Sequence, residues 1–392
     1  MKDVREILKK RPLLFDGGMG TYYNAAPGQE CEQANRTDPE GILAVHRAYL
    51  DAGADAIKTN TFGLTRMAAA HDPAWKALAE AGWELARRAA AQTDTAVFAD
   101  IGPAPDTEAL PAAQLYTALA DCFLALGAKN FLFETLSADT GVAEAAKRIK
   151  QAAPDAFVLV SFAVLPDGYT REGQHCAELV RRMEACGAVD AVGLNCVSAP
   201  GAMGELVQKL GGVKLPLSVM PNAGYPVVTR TRVQYRGRPE YFAQELAKLA
   251  ARGVRILGGC CGTTPRHIAA LRRALDALPQ TLPAAPAVQL SAAPKPKAET
   301  DDAFLRKLNA GKKVIAIELD SPKDADLTGY LDGARRLQAA GADLLTIADC
   351  PIARARMDSS LVACRVHREL GLNVLPHMTC RDRNLNATKA LL

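Results

Sequence analysis

The sequence of 392 residues has few aromatic side chains, little net charge and no long apolar segment. Phe, Tyr and Trp make up 5% of the residues, which leaves few candidates for an aromatic cage around a quaternary ammonium ion. The net charge is +4, from 47 basic and 43 acidic residues, so no nucleic-acid partner is expected. No apolar segment reaches the ~18–20 residues that span a bilayer, and the first residues lack a signal-peptide core. We therefore expect a cytoplasmic protein with no membrane partner.

Ten cysteines are present in a chain that is too long for a secreted disulfide scaffold, and Cys260 and Cys261 are adjacent. This usage indicates a reducing compartment, where clustered thiols more often serve metal binding or catalysis. Hydrophobic residues make up 49% of the chain and charged residues 23%, so it can fill large cores.

Short β-rich apolar runs alternate with longer stretches of helical periodicity along the first two thirds of the chain. Strand–helix alternation repeated eight times over ~275 residues predicts an α/β fold of the (β/α)8 TIM-barrel type. An open doubly wound sheet is the alternative. The eight runs lie at residues 13–16, 54–60, 96–100, 130–134, 157–162, 190–196, 216–220 and 254–258.

Polar or thiol residues end seven of these runs. In a barrel the C-terminal ends of the strands meet on one face, where active sites are built. The sequence therefore predicts a site on that rim. The endings are Asp16-Gly17-Gly18, Lys58-Thr59-Asn60, Asp100, Glu134, Asn195-Cys196, Pro221-Asn222 and Gly259-Cys260-Cys261.

The pattern is interrupted by a Pro/Ala-rich stretch at 281–300, which we interpret as a linker. Strand–helix alternation then resumes, with strands predicted at 314–320, 343–348 and 373–377. We expect a barrel over 1–280, the linker, and an incomplete second β/α barrel-like segment over 301–392. Because three strand–helix units cannot close a barrel, we expect the natural protein to continue beyond this chain. A small independent three-stranded domain is the alternative.

Three cysteines follow strands that should end at the same rim, namely Cys196 after AVGLN and Cys260-Cys261 after RILGG. Three Cys ligands with one open position are a form that zinc takes when it works on a substrate. A substrate thiol in that open position would lose its proton and still remain nucleophilic. From the residues alone, a redox-active vicinal pair and inert buried thiols remain alternatives.

Five motifs together resemble the homocysteine S-methyltransferase family, which includes betaine-homocysteine methyltransferase and the homocysteine module of cobalamin-dependent methionine synthase. The resemblance covers about residues 10–278. It implies a zinc-containing (β/α)8 barrel that methylates L-homocysteine to methionine through a zinc-bound homocysteine thiolate. The motifs are DGGMGT at 16–21, KTNTF at 58–62, FET at 133–135, GLNC at 193–196 and GGCCGTTPRHI at 258–268.

Matched motif by motif, the resemblance assigns roles to individual residues. Cys196, Cys260 and Cys261 would be the zinc ligands and, with Glu134, the catalytic set. The amino-acid end of homocysteine would be held by the carboxylates of Asp16 and Glu134, suited to its ammonium group, and by Gly17. Asn60 and Asn195 would line the same rim. His267 is expected to cap or pack its helix rather than to act as a fourth ligand.

The second segment resembles the N-terminal part of methylenetetrahydrofolate reductase, a flavin-dependent (β/α)8 barrel. The matching residues are KVIAIELD at 313–320 and LPHMTCRDRN at 375–384. By that resemblance Glu318 would be the proton donor toward folate. FAD is expected only in a complete reductase domain, and this chain, which looks like a bacterial methyltransferase–reductase fusion cut short, is not expected to reduce folate.

The sequence does not identify the methyl donor. Methyltetrahydrofolate, S-methylmethionine, S-adenosylmethionine and betaine are candidates, and betaine ranks low because aromatic residues are scarce. Other readings are a non-catalytic zinc scaffold that docks a folate reductase barrel, and a vicinal-dithiol redox enzyme. The oligomeric state is open, with a homo-oligomer among the options.

Overall fold

The computed structural model describes residues 3–23, 29–107, 110–210, 212–228, 233–235, 237–278, 303–380 and 387–388. The chain divides into two compact units, residues 1–293 and 294–392, and each is described by itself below. The expected linker at 281–300 lies outside the described residues, so the domain boundaries at 280 and 301 remain predictions.

The first unit is a closed barrel of eight parallel strands. Among its described residues the unit has ten strands, of which all but β8 and β9 belong to the barrel. They are β1 (Leu13–Leu14), β2 (Ala56–Lys58), β3 (Ala96–Ile101), β4 (Asn130–Leu136), β5 (Phe157–Phe162), β6 (Ala191–Asn195), β7 (Leu217–Met220), β8 (Pro226–Val228), β9 (Val233–Tyr235) and β10 (Ile256–Leu257). The barrel order is β1-β10-β7-β6-β5-β4-β3-β2, and a parallel bridge between Phe15 and Ala56 joins β1 to β2. The predicted (β/α)8 fold is confirmed, and the doubly wound alternative is wrong.

Two strands lie outside the barrel. The β8 and β9 strands pair antiparallel as a hairpin between the seventh and eighth barrel strands. The sequence did not predict this hairpin, because the basic stretch at 230–238 has the composition of a loop.

Helices follow the barrel strands and cover the outside of the sheet. Proline is the first residue of four helices, where its missing N–H and fixed φ are tolerated. The helices are α1 (Val4–Lys10), α2 (Met19–Tyr23), α3 (Ala34–Thr37), α4 (Pro39–Asp51), α5 (Leu64–Ala69), α6 (Ala74–Ala90), α7 (Ala112–Ala125), α8 (Val142–Ala152), α9 (Cys176–Ala185), α10 (Pro200–Leu210), α11 (Pro239–Ala251) and α12 (Pro265–Asp276), with a 3₁₀ helix at Cys31–Gln33.

Apolar side chains fill two layers of the barrel. The inner layer includes Phe15, Phe98 and Phe157, and the rings of Phe15 and Phe98 have centroids 4.6 Å apart. The α1 side chains Val4 and Ile7 belong to the same cluster. A larger cluster lies between the strands and the surrounding helices. Beyond this apolar layer, the barrel-facing charged residues Lys58, Asp100 and Glu134 lie at or near the C-terminal ends of their strands.

The second unit contains a small parallel sheet in the order β11-β12-β13. All three strands fall within the predicted runs. The core of the unit includes Leu345, Ile347 and Val362, which are fully buried. The elements are α13 (Ala303–Asn309), β11 (Ala316–Glu318), α14 (Thr328–Ala339), β12 (Leu344–Ile347), a 3₁₀ helix at Pro351–Ala353, α15 (Ser359–Leu370) and β13 (Asn373–Pro376).

Across the part of the chain that the structure describes, no helix combines the length and the apolar character needed to cross a membrane.

A buried histidine on α4 should make the folding of the first unit sensitive to acid. His46 is fully buried, neither ring nitrogen has a hydrogen-bond partner among the described residues, and burial lowers its pKa to about 4. In the unfolded chain its pKa is ~6.5, so the neutral ring favours folding above that pH. Roughly 3 kcal/mol should be lost as pH falls from ~6.5 to about 4.

This loss can be measured by urea unfolding at several pH values, followed by the fluorescence of Trp75 and Trp83, the two tryptophans of the chain. His46→Leu should flatten the dependence of stability on pH, whereas His71→Asn, at an exposed position, should leave it unchanged. Equal slopes for wild type and His46→Leu would contradict the assignment.

Candidate active site

Three thiols meet at the C-terminal rim of the barrel. Cys196 follows β6 directly, and Cys260 and Cys261 lie in the turn after β10. The three sulfur atoms lie within 4.8 Å of one another, and the Sγ atoms of Cys196 and Cys261 are 3.8 Å apart. A tetrahedral site with Zn–S bonds of ~2.3 Å separates its sulfur atoms by about 3.8 Å. The donor set and its spacing therefore fit zinc.

The backbone around the thiols is held in an uncommon conformation. Cys196 and Val197 have φ values of 56° and 50°, in the left-handed region that non-glycine residues rarely adopt. The Cys196 N–H donates to the Met220 carbonyl (3.1 Å), and the Cys260 N–H donates to the Pro221 carbonyl (2.9 Å). The end of β7, which lies between β6 and β10, thus fixes both thiol positions. Backbone strain of this kind concentrates at functional sites.

Hydrogen bonds among the thiols concentrate negative charge on one sulfur. Bonds from Cys196 and Cys260 lower the pKa of Cys261 to about 3, and the Tyr235 hydroxyl adds a further hydrogen bond. The same thiol–thiol bonds, together with burial, raise the pKa of Cys260. The cluster therefore favours one thiolate by itself, and a bound cation would be needed to hold three.

Asn195 connects the thiols to a neighbouring carboxylate. It is fully buried, and its Nδ2 donates to the Glu134 Oε2 (3.2 Å) and to the Thr135 Oγ1 (2.8 Å). The Thr135 N–H donates back to the Asn195 Oδ1 (2.9 Å), while Asn195 Nδ2 is 4.0 Å from the Cys260 sulfur. Asn195 thus fixes the position of Glu134 relative to the thiols.

A buried lysine lies between two of the carboxylates. The Lys58 Nζ is 3.6 Å from the Glu134 Oε2 and 3.8 Å from the Asp16 Oδ1. Burial opposes the charged form of Lys58, but Glu134 and Asp16 outweigh it and raise the Lys58 pKa. Burial raises the pKa of Asp16 to about 7, although Lys58 opposes this shift. This arrangement provides a binding place for an ammonium group inside the protein.

Asp100, near the end of β3, is a third buried carboxyl group. It is 4% exposed, and its Oδ1 has no hydrogen-bond partner among the described residues. Burial and the nearby Glu134 raise its pKa well above the usual value. Its surroundings therefore favour the protonated form of the Asp100 carboxyl.

The three thiols, Lys58, Asp100 and Glu134 line one cavity of about 420 Å³, within the ~300–1,000 Å³ range of small-molecule sites; Asp16 and Asn195 are not among its lining residues. In the sequence, Lys58 and Asp100 were recognised only as strand endings with no predicted role, and Tyr235 was not predicted. Among the lining residues are Gly18, Lys58, Asp100, Glu134, Cys196, Cys260 and Cys261.

The glycine turn after β1 packs against the cysteine turn. A Cβ on Gly17 would lie 2.6 Å from the Thr263 Oγ1 and 2.8 Å from the Tyr49 hydroxyl. The Gly18 N–H donates to the Thr263 Oγ1 (3.0 Å). Gly17 is thus required by close packing, while Gly18 borders the cavity.

The remaining predicted residues have other partners. Asn60 lines the cavity, but its Nδ2 donates to the Cys31 carbonyl (2.9 Å) and to the Asn35 Oδ1 (2.8 Å), so its amide holds the neighbouring loop. His267 completes a capping box with Thr264 at the start of α12, in line with the expected capping role. Glu318 is an exposed residue at the end of β11 in the second unit.

Comparisons with known proteins agree with this geometry. A family model described as homocysteine S-methyltransferase matches residues 13–275, and one described as methylenetetrahydrofolate reductase matches residues 303–392. Methionine synthases of Mycobacterium leprae and Mycobacterium tuberculosis are 34% and 33% identical over 296 residues, which covers 68% of this chain. The match spans 24% and 25% of those relatives, about a quarter of their length.

Solved structures show a similar barrel. The metallated form of the homocysteine methyltransferase MmuM from Escherichia coli has a TM-score of 0.57 and 26% sequence identity. The match covers 69% of this chain and 99% of that chain. The first unit therefore has a counterpart of nearly the same extent among solved structures.

Proposed function

Because the chain belongs to the homocysteine S-methyltransferase family through residues 13–275, we propose that it transfers a methyl group to the sulfur of L-homocysteine, giving methionine. The observation that carries this proposal is the meeting of three thiols and the Glu134 carboxylate in one cavity, with Asp16 paired to the same lysine as Glu134. The thiols suit a metal that takes up a substrate sulfur, and the carboxylates suit the ammonium group of an amino acid.

Cys196, Cys260 and Cys261 would hold zinc, as their spacing supports. Zinc bound there would lower the pKa of a thiol that reaches it and keep the sulfur nucleophilic at neutral pH. The need for reduced cysteines agrees with the ten free thiols of the chain and with a cytoplasmic location.

Asp16 and Glu134 would orient the substrate through its ammonium group. Their oxygens already face the Lys58 ammonium at 3.8 Å and 3.6 Å, which is longer than a direct charge-assisted hydrogen bond of ~2.7–2.9 Å. Both carboxylates therefore keep capacity for a second cation. Asn195 would hold Glu134 in place through its 3.2 Å hydrogen bond. Orientation of this kind can supply a large share of rate enhancement.

For the methyl donor, the cavity argues against a quaternary ammonium compound. Phe62 is the one aromatic among the described residues that line it, so they supply no aromatic cage for betaine. A sulfonium donor such as S-methylmethionine or S-adenosylmethionine needs no such cage. The reductase-like match over residues 303–392 supports methyltetrahydrofolate as a further candidate.

The test is zinc analysis of the reduced chain, with X-ray absorption at the zinc edge before and after addition of L-homocysteine. We expect one zinc, whose shell changes from three sulfurs and one light atom to four sulfurs. A zinc coordination shell that does not change when homocysteine is added would support the alternative of a non-catalytic zinc scaffold. Protein that is kept reduced and binds no zinc would overturn the proposal.

A further inference from the structure

We propose that Asp100 donates a proton to an amine leaving group, and that the methyl donor of this site is accordingly a tertiary N-methyl amine. This inference deepens the proposed function and rests on it. It assigns a role to a buried acid that homocysteine binding leaves unused, and it narrows the donor to one chemical class.

The backbone of Asp100 is held by hydrogen bonds, while one oxygen of its side chain is without a hydrogen-bond partner among the described residues. Its backbone N–H donates to the Thr59 Oγ1 (3.0 Å), and its carbonyl accepts from the Thr61 Oγ1 (2.7 Å). The side chain lines the cavity, yet Oδ1 has no hydrogen-bond partner among the described residues. Leaving a buried polar atom unpaired costs ~1–3 kcal/mol, so such an atom is expected to meet a ligand.

The surrounding charges favour the protonated form of this carboxyl. Asp100 interacts with Asp16 on β1, Lys58 on β2, Glu134 on β4 and Glu32 of the 3₁₀ helix. Lys58 is the one cation among these groups and forms ion pairs with Asp16 and Glu134. The Gly63 N–H donates to the Glu32 carboxylate (2.6 Å). Several buried carboxyl groups that share one ammonium cannot all ionise, and Asp100, which has the least support, retains its proton.

The thiol cluster and the acid both have Lys58 as a neighbour. Lys58 interacts electrostatically with Cys260 and with Asp100. All three residues line the same cavity of about 420 Å³. A donor whose methyl group reaches the homocysteine sulfur can therefore have its leaving atom on the side of Asp100.

The proton balance identifies the donor class. When sulfur attacks an N–CH₃ group, the S–C bond forms, the C–N bond breaks, and the electron pair of that bond stays on nitrogen. An amide anion is a poor leaving group, so nitrogen must take a proton, here from the Asp100 carboxyl. The resulting carboxylate is reprotonated by the thiol proton of the next homocysteine. The overall reaction converts a thiol and a tertiary N-methyl amine into a thioether and a secondary amine.

Other donor classes do not need this acid. A sulfonium donor leaves as a neutral thioether, and a quaternary ammonium donor leaves as a neutral tertiary amine. Neither takes up a proton during transfer. A protonated carboxyl in the cavity therefore distinguishes a site built for amine donors.

The experiment compares two donors with the full chain, reduced and loaded with zinc. N5-methyltetrahydrofolate serves as the amine donor and S-methylmethionine as the sulfonium donor. We expect Asp100→Asn to lower the amine-dependent rate at least ~100-fold relative to the sulfonium-dependent rate, and Asp100→Glu to restore part of it. Asp121→Asn on α7, at a half-buried carboxylate outside the cavity that pairs with Arg148, is the matched control. An amine-dependent rate that falls less than tenfold in Asp100→Asn would overturn the inference.

A second measurement needs no variant, in case Asp100→Asn does not fold. In D₂O, the wild-type single-turnover rate with the amine donor should fall by about twofold or more, because a proton moves in the transition state. With no such effect, or with no amine-dependent transfer at all, the inference fails. If the zinc shell still gains a fourth sulfur from homocysteine, the proposed function stands. If the shell does not change, the proposed function itself fails.

Discussion

Replacing Cys260 by serine should abolish stoichiometric zinc binding and lower methyl transfer to homocysteine by at least about 10³-fold. The substitution leaves two thiols of a three-sulfur set, and a hydroxyl is a poorer ligand for zinc than a thiolate. It also removes the thiol that shares hydrogen bonds with both Cys196 and Cys261. Zinc content by mass spectrometry and the rate of methionine formation would be measured on the same sample.

The control for this variant is Cys122→Ser, at a half-buried cysteine on α7 outside the thiol cluster. It should keep both zinc and activity. If Cys260→Ser retained one equivalent of zinc and full activity, the three-thiol site would have to be abandoned. Loss of activity in both variants would point to a general effect of cysteine replacement.

Replacing Lys58 by methionine should destabilise the first unit by ~3–5 kcal/mol at pH 8. Lys58 pairs with two buried carboxylates, and its removal leaves them without a counter-charge in a low-dielectric interior. The Asp16 pKa is about 7 with Lys58 present and should be higher without it, so the loss should already shrink as pH falls toward 7, because a protonated carboxyl needs no partner. Urea unfolding followed by tryptophan fluorescence at pH 8 and at pH 5.5 measures both effects.

Two further variants define the effect of Lys58. The double change Lys58→Met with Asp16→Asn should recover part of the stability, because one unpaired charge is removed with the lysine. Lys129→Met breaks an exposed pair with Asp155 and should cost no more than ~1 kcal/mol. Equal losses from Lys58→Met and Lys129→Met would show that the buried pairs contribute little.

The fold was predictable because each barrel strand is a short apolar run that ends in a polar or glycine-rich turn. Each of the eight predicted runs coincides with a barrel strand, although β3 and β4 extend one and two residues further and β1, β2, β6, β7 and β10 are shorter than expected. The meeting of Cys196 with Cys260 and Cys261 was also predictable, since both strands end at the same rim. The roles predicted for the substrate-binding residues remain predictions.

No role in the site was predicted for Lys58 or Asp100, although the two-residue period of a strand shows that both side chains point into the barrel. Ala56 and Phe98 belong to the inner cluster, whereas Ile57 and Ala99 face the helices. Lys58 and Asp100 lie two residues beyond Ala56 and Phe98 and therefore also point inward. The role of Tyr235 could not be predicted in this way. Its contact with Cys261 depends on the β8–β9 hairpin, and the sequence there has no periodicity that predicts a strand.

The barrel strands pair over few residues at β1, which leads into the site. β1 pairs with β10 over two residues, and one bridge joins β1 to β2. Local openings of a folded protein favour regions with few hydrogen bonds, so this seam should open before the rest of the barrel. Because Gly18 after β1 and Cys260 after β10 both line the cavity, a ligand that contacts both turns would also hold this seam together. By linkage, ligand affinity would include the free energy of keeping the barrel shut, so a mutation far from the thiols that loosens the seam would weaken binding.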